Sequence, residues 1–174
     1  MTTVEDRYAE ALAAAIAADL KENPPPGSLV RVVIRWFDGP LYLTIHALGT
    51  EQEDDVEPDA AWEPLEWENS DEEINRADRI VDLPEVKAAG EALATSLEDE
   101  SWPWEPGSAP AELVEAARRL RAACERSLPL APHFAVGVAH FEAFGVEASV
   151  RQANPAETWD LLAERDLTPI PDEA

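Results

Sequence analysis

The residues of this chain that could do chemistry are concentrated in one stretch, which combines carboxylates with indole rings. The chain carries 37 Asp and Glu against 13 Lys and Arg, for a formal net charge of -24. Residues 51–105 hold 20 of these acids, three bases and four of the six tryptophans, so this stretch alone has a net charge of -17. Carboxylates attract cationic partners over a distance, and tryptophan is enriched among residues that anchor protein interfaces. The stretch therefore indicates a surface that binds something positively charged.

Two acidic loops, over 49–69 and 98–110, contain the candidate binding residues. The predicted anchors are Trp62, Trp67, Trp102 and Trp104. The carboxylates that would steer a basic partner toward these anchors are Asp54, Asp55, Glu57, Asp59, Glu98, Asp99 and Glu100. The same rings could instead pin the loops onto the core, as large apolar side chains usually do. The sequence leaves both interpretations open.

Metal and catalytic chemistry find little support in the sequence. The acidic run from Glu51 to Asp59 has neither the glycine nor the alternating ligands of an EF-hand loop. The three histidines lack zinc-site spacing, and the chain has neither a nucleophile elbow nor a glycine-rich phosphate loop. Cys124 falls on the apolar stripe of a predicted helix, where a small core residue is expected. No cofactor or metal is predicted, although paired carboxylates keep a hydrolase or divalent-metal enzyme open as an alternative.

Length and composition bound the class of protein. With 174 residues, of which 45% are hydrophobic, the chain is expected to form one domain over 1–174 with a well-filled core. The excess of acid disfavours direct binding to nucleic acid or to anionic membranes, because both need clustered Lys and Arg. The single cysteine excludes an internal disulfide, and no segment resembles a signal peptide, so a cytoplasmic location is predicted. The oligomeric state does not follow from the sequence.

A hairpin and about five helices are predicted to position the acidic loops. Residues 29–37 and 41–48 flank Asp38-Gly39, which is a strong signal for a two-residue turn. Such a turn would place Trp36 opposite Leu41, and every residue pair on that face of the hairpin would then be apolar. A third strand is expected over 134–141, with 61–67 as an edge strand or an extended loop. Helices are predicted over 3–22 and 111–127, from Ser70, from Pro84, and after Asn154. The fold class is therefore α+β, with a small and mainly antiparallel sheet.

The helix predicted over 111–127 carries an unusual density of positive charge. Its arginines are Arg118, Arg119, Arg121 and Arg126. We expect them to pair with the acids of 51–105 and so to offset part of the repulsion within that stretch. A separate basic contact patch is the alternative.

Two short segments resemble a family of uncharacterised bacterial proteins. They are Trp62-Glu-Pro-Leu-Glu-Trp67, which resembles a Trp-x-Pro-x-Glu-Trp-type segment of that family, and Ser149-Val-Arg-Gln-Ala-Asn-Pro155 near the end of the chain. Some members of the family are similar to immunity proteins, which neutralise secreted toxins inside the producing cell. The resemblance implies a small acidic protein that binds another protein, and it carries over no catalytic residue.

The sequence therefore favours a non-enzymatic interaction protein, an immunity- or antitoxin-like inhibitor that docks a basic partner. Three alternatives remain. The chain could mimic nucleic acid and occupy a DNA- or RNA-binding protein, which requires carboxylates arranged in a stripe. It could be the carboxylate or divalent-metal enzyme considered above, which requires a pocket with converging acids. Finally, the acid could serve mainly for solubility.

Overall fold

A three-stranded mixed sheet forms the centre of the protein. The computed structural model describes residues 1–67, 76–103, 105, 107–142 and 145–172. Strand β1 (Leu29–Trp36) lies between β2 (Leu43–Gly49) and β3 (Leu130–His140). β1 pairs antiparallel with β2 and parallel with β3. The predicted sheet of a hairpin plus a third strand is confirmed, but one of its two pairings is parallel.

The helices cover both faces of this sheet. The described residues form α1 (Val4–Glu22), α2 (Thr50–Glu53), α3 (Ala77–Ile80), α4 (Pro84–Ser96), α5 (Ala111–Ser127), α6 (Val146–Ala153) and α7 (Ala156–Glu164). Five of these have eight or more residues, which confirms the α+β class with about five substantial helices. The predicted start of a helix at Ser70 lies outside the described residues. No helix in the described part of the chain is long and apolar enough to cross a membrane.

The two faces of the sheet carry separate cores. On the first face, Val32, Ile34 and Trp36 pack with α1, α4 and α5. On the second face, Val33 and Leu48 pack with α6, α7 and the segment 56–67. All eight residues of β1 are consequently buried, which explains why its sequence is a nearly continuous apolar run rather than an alternating one.

The hairpin register differs from the prediction by two residues. Trp36 lies opposite Leu43 and Ile34 opposite Ile45, and Phe37 N donates to Tyr42 O at 3.1 Å. The connection is thus four residues long, 38–41, instead of two. Because side chains in a strand alternate with a period of two, a shift of two residues leaves every side chain on its predicted face.

The segment 61–67 is neither a strand nor fully extended. Residues Pro58–Ala60 and Pro64–Glu66 form two short 3₁₀ turns, each opened by a proline. Proline fixes φ and lacks an N–H group, so it suits the first position of such a turn and disfavours a paired strand. The turns carry the chain across the second face of the sheet and place Trp62 and Trp67 on the core.

Candidate functional site

Three of the four predicted anchor tryptophans belong to the core. Trp62, Trp67 and Trp102 expose 5%, 1% and 5% of their surface. Trp102 packs against Trp36 with ring centroids 5.7 Å apart, and a Cβ on Gly137 would come within 2.7 Å of the Trp62 ring. For these three rings the structure supports the core interpretation, which the sequence had left open beside the exposed one, because each fills a gap between a loop and the sheet. Trp104 lies outside the described residues.

The steering acids divide into two separate groups. Asp54, Asp55, Glu57 and Asp59 are exposed and follow α2, whose first residue Thr50 donates its N–H to Ser28 O just before β1. Glu98, Asp99 and Glu100 are exposed at the other end of β1, where Trp102 N donates to Asp38 O at 2.9 Å. The eight residues of β1 span roughly 25 Å. The two groups therefore do not share one patch.

Three exposed aromatic rings stand at the end of the sheet that carries the hairpin turn. Phe37, Tyr42 and Phe141 expose 57%, 64% and 53% of their surface, and we call them the hairpin-end patch. Phe37 directly follows β1 and Phe141 directly follows β3. Because these strands are parallel, the two rings emerge together and meet edge to face at 5.4 Å. Exposed aromatic clusters of this kind mark interaction surfaces.

A cleft of about 460 Å³ runs beside the hairpin-end patch, along the start of β2. All three rings of the patch line it, together with Leu43, Asp78 and Asp82. The two aspartates are exposed on and just after α3, and Asp38 is exposed in the turn. The cleft, which we call the β2-edge cleft, thus combines aromatic surface with an acidic rim.

A buried arginine fixes the position of Phe141. Arg35 is 7% exposed, donates from Nη2 to Phe141 O at 2.9 Å, and lies 5.5 Å from the ring centroid. Burial lowers the pKa of Arg35, and the nearby Glu63 opposes this shift. Burial and the charge of Arg35 lower the pKa of His46 to about 4, so His46 is neutral at physiological pH. This polar group supports the patch from behind and offers no exposed acid or base for catalysis.

The backbone groups at the two outer edges of the sheet are hydrogen-bonded differently. Along β3, the Asn154 side chain accepts from Val136 N at 3.0 Å and donates to Val136 O at 2.8 Å, while Ser149 Oγ accepts from Val138 N at 2.8 Å. Along β2, Ile45 O accepts from Arg76 N at 2.8 Å. The hydrogen-bond alternation makes the N–H and C=O of Leu43 point away from β1 as well. No hydrogen bond to these two groups is found among the described residues, and Leu43 lines the β2-edge cleft.

A second charged cluster lies at the opposite end of β1 and is largely buried, with 18% of the Glu53 side chain exposed. Arg31 is fully buried beneath Trp62, with its guanidinium 5.0 Å from that ring and 3.6 Å from Glu53 Oε1. His133 Nε2 lies 2.7 Å from the same carboxylate oxygen. Burial alone would raise the pKa of Glu53, but His133 and Arg31 hold it below its usual value. Since Arg31 also donates to Ala61 O at 2.9 Å, the cluster ties α2 and the segment after it to the sheet.

The remaining acidic and metal-binding side chains of the described residues form no metal site. In the described ranges, no group of three or more His, Cys, Asp or Glu is arranged to hold a metal ion. Cys124 is fully buried on α5, and this burial raises the pKa of its thiol to about 12. It is therefore a core residue, as its place on the apolar stripe predicted.

The arginines of α5 pair mainly within their own neighbourhood. Arg118 and Arg119 both bind Glu115, Arg119 also reaches Asp6 of α1, and Arg121 binds Glu125. The described ion pairs of these three arginines therefore do not include the expected pairing with acids of 51–105. The reason is proximity, because carboxylates three or four residues away on a helix are always within reach.

Comparisons of the chain with protein-family models, with curated proteins and with solved structures give no match. The resemblance of 62–67 and 149–155 to the uncharacterised bacterial family therefore stays a prediction. The structure gives both segments a physical role, since the first buries Trp62 and Trp67 and the second supplies the Ser149 and Asn154 side chains that bind β3. The hairpin-end patch was missed at the sequence level. Its signal was the position of each ring immediately outside a buried strand.

Proposed function

We propose that this protein is a non-enzymatic interaction protein that binds a basic partner protein through the hairpin-end patch, as an immunity- or antitoxin-like inhibitor. The observation that carries the proposal is the exposure of Phe37, Tyr42 and Phe141 by 53% or more beside exposed carboxylates. Rings in this position replace the buried tryptophans as anchors. Interface anchors are typically large rings that a partner can cover completely.

Charge supplies the second half of the proposal. The whole chain has a net charge of -24, and Asp38, Asp78 and Asp82 stand around the patch. Such a field speeds the encounter with a basic protein and repels acidic ones, and salt weakens it. Among the described residues, the arginine that lines the cleft is Arg35, which is 7% exposed and lies near the carboxylate of Glu63, so part of its charge is offset.

The other functions considered for the chain gain less from the geometry. A nucleic-acid mimic needs a continuous stripe of carboxylates, whereas the 54–59 and 98–100 acids lie at opposite ends of β1. A carboxylate hydrolase needs converging acids with raised pKa values. Among the described carboxyl groups, Glu63 has a raised pKa: burial raises it, the nearby Arg35 opposes this shift, and Glu66 adds to it. Binding therefore remains the function that the geometry favours.

Site-specific photo-cross-linking tests the proposal. A benzophenone amino acid in place of Tyr42, which is 64% exposed, is compared in the cells of origin with the same probe in place of Ile170, which is 67% exposed. We expect the probe at Tyr42 to capture a basic protein that the probe at Ile170 does not. The captured protein, once purified, should bind the unmodified chain, and added salt should weaken that binding. Equal capture at both positions, or a captured protein that is not basic, would show that the proposal is wrong.

A further inference from the structure

We infer that the β2-edge cleft binds an extended segment of the partner as an added β-strand, with Lys or Arg side chains directed at Asp78 and Asp82. The inference rests on the proposed function and specifies its mode of recognition. An added strand gains affinity from backbone hydrogen bonds and specificity from alternate side chains. The cleft provides both kinds of contact.

The backbone contact is provided by Leu43. Its N–H and C=O groups point out of the sheet into the cleft, and neither is bonded within the described part of the chain. Two residues further along β2, Ile45 O already accepts from Arg76 N. The available edge is therefore short and begins at the hairpin end, which suits a few residues of extended chain and excludes a long strand.

The side-chain contacts differ on the two sides of such a strand. On the first face of the sheet the cleft is lined by Leu41, Leu43 and Val81, which are apolar. On the second face it is lined by the exposed rings of Tyr42 and Phe141. A segment that alternates an aliphatic residue with Arg or Lys matches this arrangement. Its aliphatic side chains can pack on the apolar lining, and its cations can either stack on the rings or pair with Asp78 and Asp82 at the rim.

The opposite edge of the sheet supports the same conclusion. An unpaired edge invites association with other chains, and proteins usually block it. This protein blocks β3 with Ser149 and Asn154 and covers β2 at Ile45. Within the described ranges, the unbonded backbone of Leu43 is thus a local exception, and it coincides with the exposed rings and the acidic rim.

The test uses a blocked pentapeptide, Arg-Val-Arg-Val-Arg, and two analogues that are N-methylated either on both valines or on the central arginine. Neighbouring N–H groups of a strand point to opposite sides, so only one of the two sets can face Leu43. We expect the parent peptide to bind, to shift the Leu43 amide resonance and to slow its hydrogen exchange at least tenfold. One analogue should bind about tenfold more weakly, as expected for loss of a backbone hydrogen bond, and the other should bind like the parent. Equal affinities for both analogues, or no binding of the parent at millimolar concentration, would overturn the inference.

Matched variants separate the cleft from general charge. Asp78→Asn with Asp82→Asn should weaken peptide binding at least fivefold, whereas Asp54→Asn with Asp55→Asn removes the same charge at the other end of β1 and should change it less than twofold. Equal effects of the two pairs would contradict the assignment to the cleft.

If cross-linking at Tyr42 captures a basic protein but the Leu43 amide stays unprotected in that complex, the proposed function stands and the added-strand mode is wrong. If cross-linking captures no such protein, the proposed function itself is wrong.

Discussion

The two outer edges of the sheet, formed by β2 and β3, differ in how completely their backbone groups are hydrogen-bonded among the described residues. Along β3, side chains imitate a neighbouring strand: Asn154 bonds both backbone groups of Val136, and Ser149 bonds those of Val138. Along β2, one carbonyl is covered by the backbone of Arg76. At the next outward-facing residue toward the turn, Leu43, no backbone hydrogen bond on this side is found among the described residues. Closure by buried amide and hydroxyl groups contributes to stability, whereas an open residue contributes only when a partner arrives. Substitutions at the β2 edge should therefore affect the proposed binding more than the fold.

Removing the closure of β3 should have the largest effect. Asn154→Ala orphans Val136 N–H and C=O in a buried site, so we expect a loss of roughly 3–4 kcal/mol in the free energy of unfolding, at about 1–3 kcal/mol for each unsatisfied group. Chemical denaturation measures this loss. Asn154→Asp is the matched control. It keeps the oxygen that accepts from Val136 N and from Arg121 but cannot donate to Val136 O, so it separates the donated bond from the accepted ones. A change below about 0.5 kcal/mol, the range of ordinary surface substitutions, would mean that Asn154 does not close this edge.

The role of Asn154 shows what the sequence could and could not reveal. Asn followed by proline is typical of a helix N-cap, and a helix does begin at Ala156. The asparagine side chain instead binds β3, a contact that depends on the chain returning to the sheet after α6 and cannot be read from local pattern. The parallel pairing of β3 with β1 has the same origin, since it depends on a long-range crossover.

Short-range patterns, by contrast, predicted much of the fold correctly. The apolar face of the hairpin and the limits of α5 follow from periodicity, and α5 spans 111–127 as predicted. The turn was predicted two residues too short because tertiary contacts hold it open: Tyr8 Oη donates to Pro40 O at 2.9 Å, and Leu41 packs against Gly90. The acid and tryptophan content indicated binding. Which rings are exposed depends on how the loops pack against the two cores, and this packing cannot be read from local pattern.

Acid should weaken the covered part of the β2 edge. Asp19 of α1 bonds Arg76 at 3.0 Å and Arg79 at 2.7 Å, and Arg76 in turn covers Ile45. Burial alone would raise the pKa of Asp19, but hydrogen bonds from Arg79 and Arg76 outweigh it and lower the pKa. The folded state thus holds the proton less tightly than the unfolded chain. The stability that this group contributes is present above the ordinary aspartate pKa and is lost as pH falls from there through the lowered folded value.

Asp19→Asn makes this contribution measurable. We expect a loss of about 2 kcal/mol at neutral pH, because asparagine keeps only one of the two acceptor oxygens and lacks the charge that strengthens the bonds from Arg76 and Arg79. The loss should shrink as pH falls toward and below the lowered pKa, where Asp19 becomes neutral in the parent chain. Urea denaturation at neutral pH and in the acid range compares the two proteins. A loss that is the same at every pH would contradict the role of the Asp19 charge.

Deleting single N–H groups compares the two edges directly. An amide-to-ester change that removes Val136 N–H should cost about 1 kcal/mol, the usual net contribution of a buried hydrogen bond. The same change at Leu43 should cost less than about half of that, because the N–H group it removes has no partner in the described fold. Semisynthetic proteins and thermal unfolding provide the measurement. Equal costs would show that the β2 edge at Leu43 is bonded in solution and is not available to a partner.

The smallest effect on stability is expected at the hairpin-end patch, as its proposed role in binding requires. Tyr42 is 64% exposed and its side chain makes no hydrogen bond within the described residues, so Tyr42→Ser should change the free energy of unfolding by less than about 0.5 kcal/mol. The buried Trp102 is its control, since Trp102→Ala should cost roughly 3–5 kcal/mol through the cavity it leaves. Denaturation of both variants, followed by the peptide titration with the Tyr42 variant, separates stability from binding. If Tyr42→Ser destabilises the protein like a core substitution, the ring serves the fold, and the contrast between a closed and an open edge loses its functional meaning.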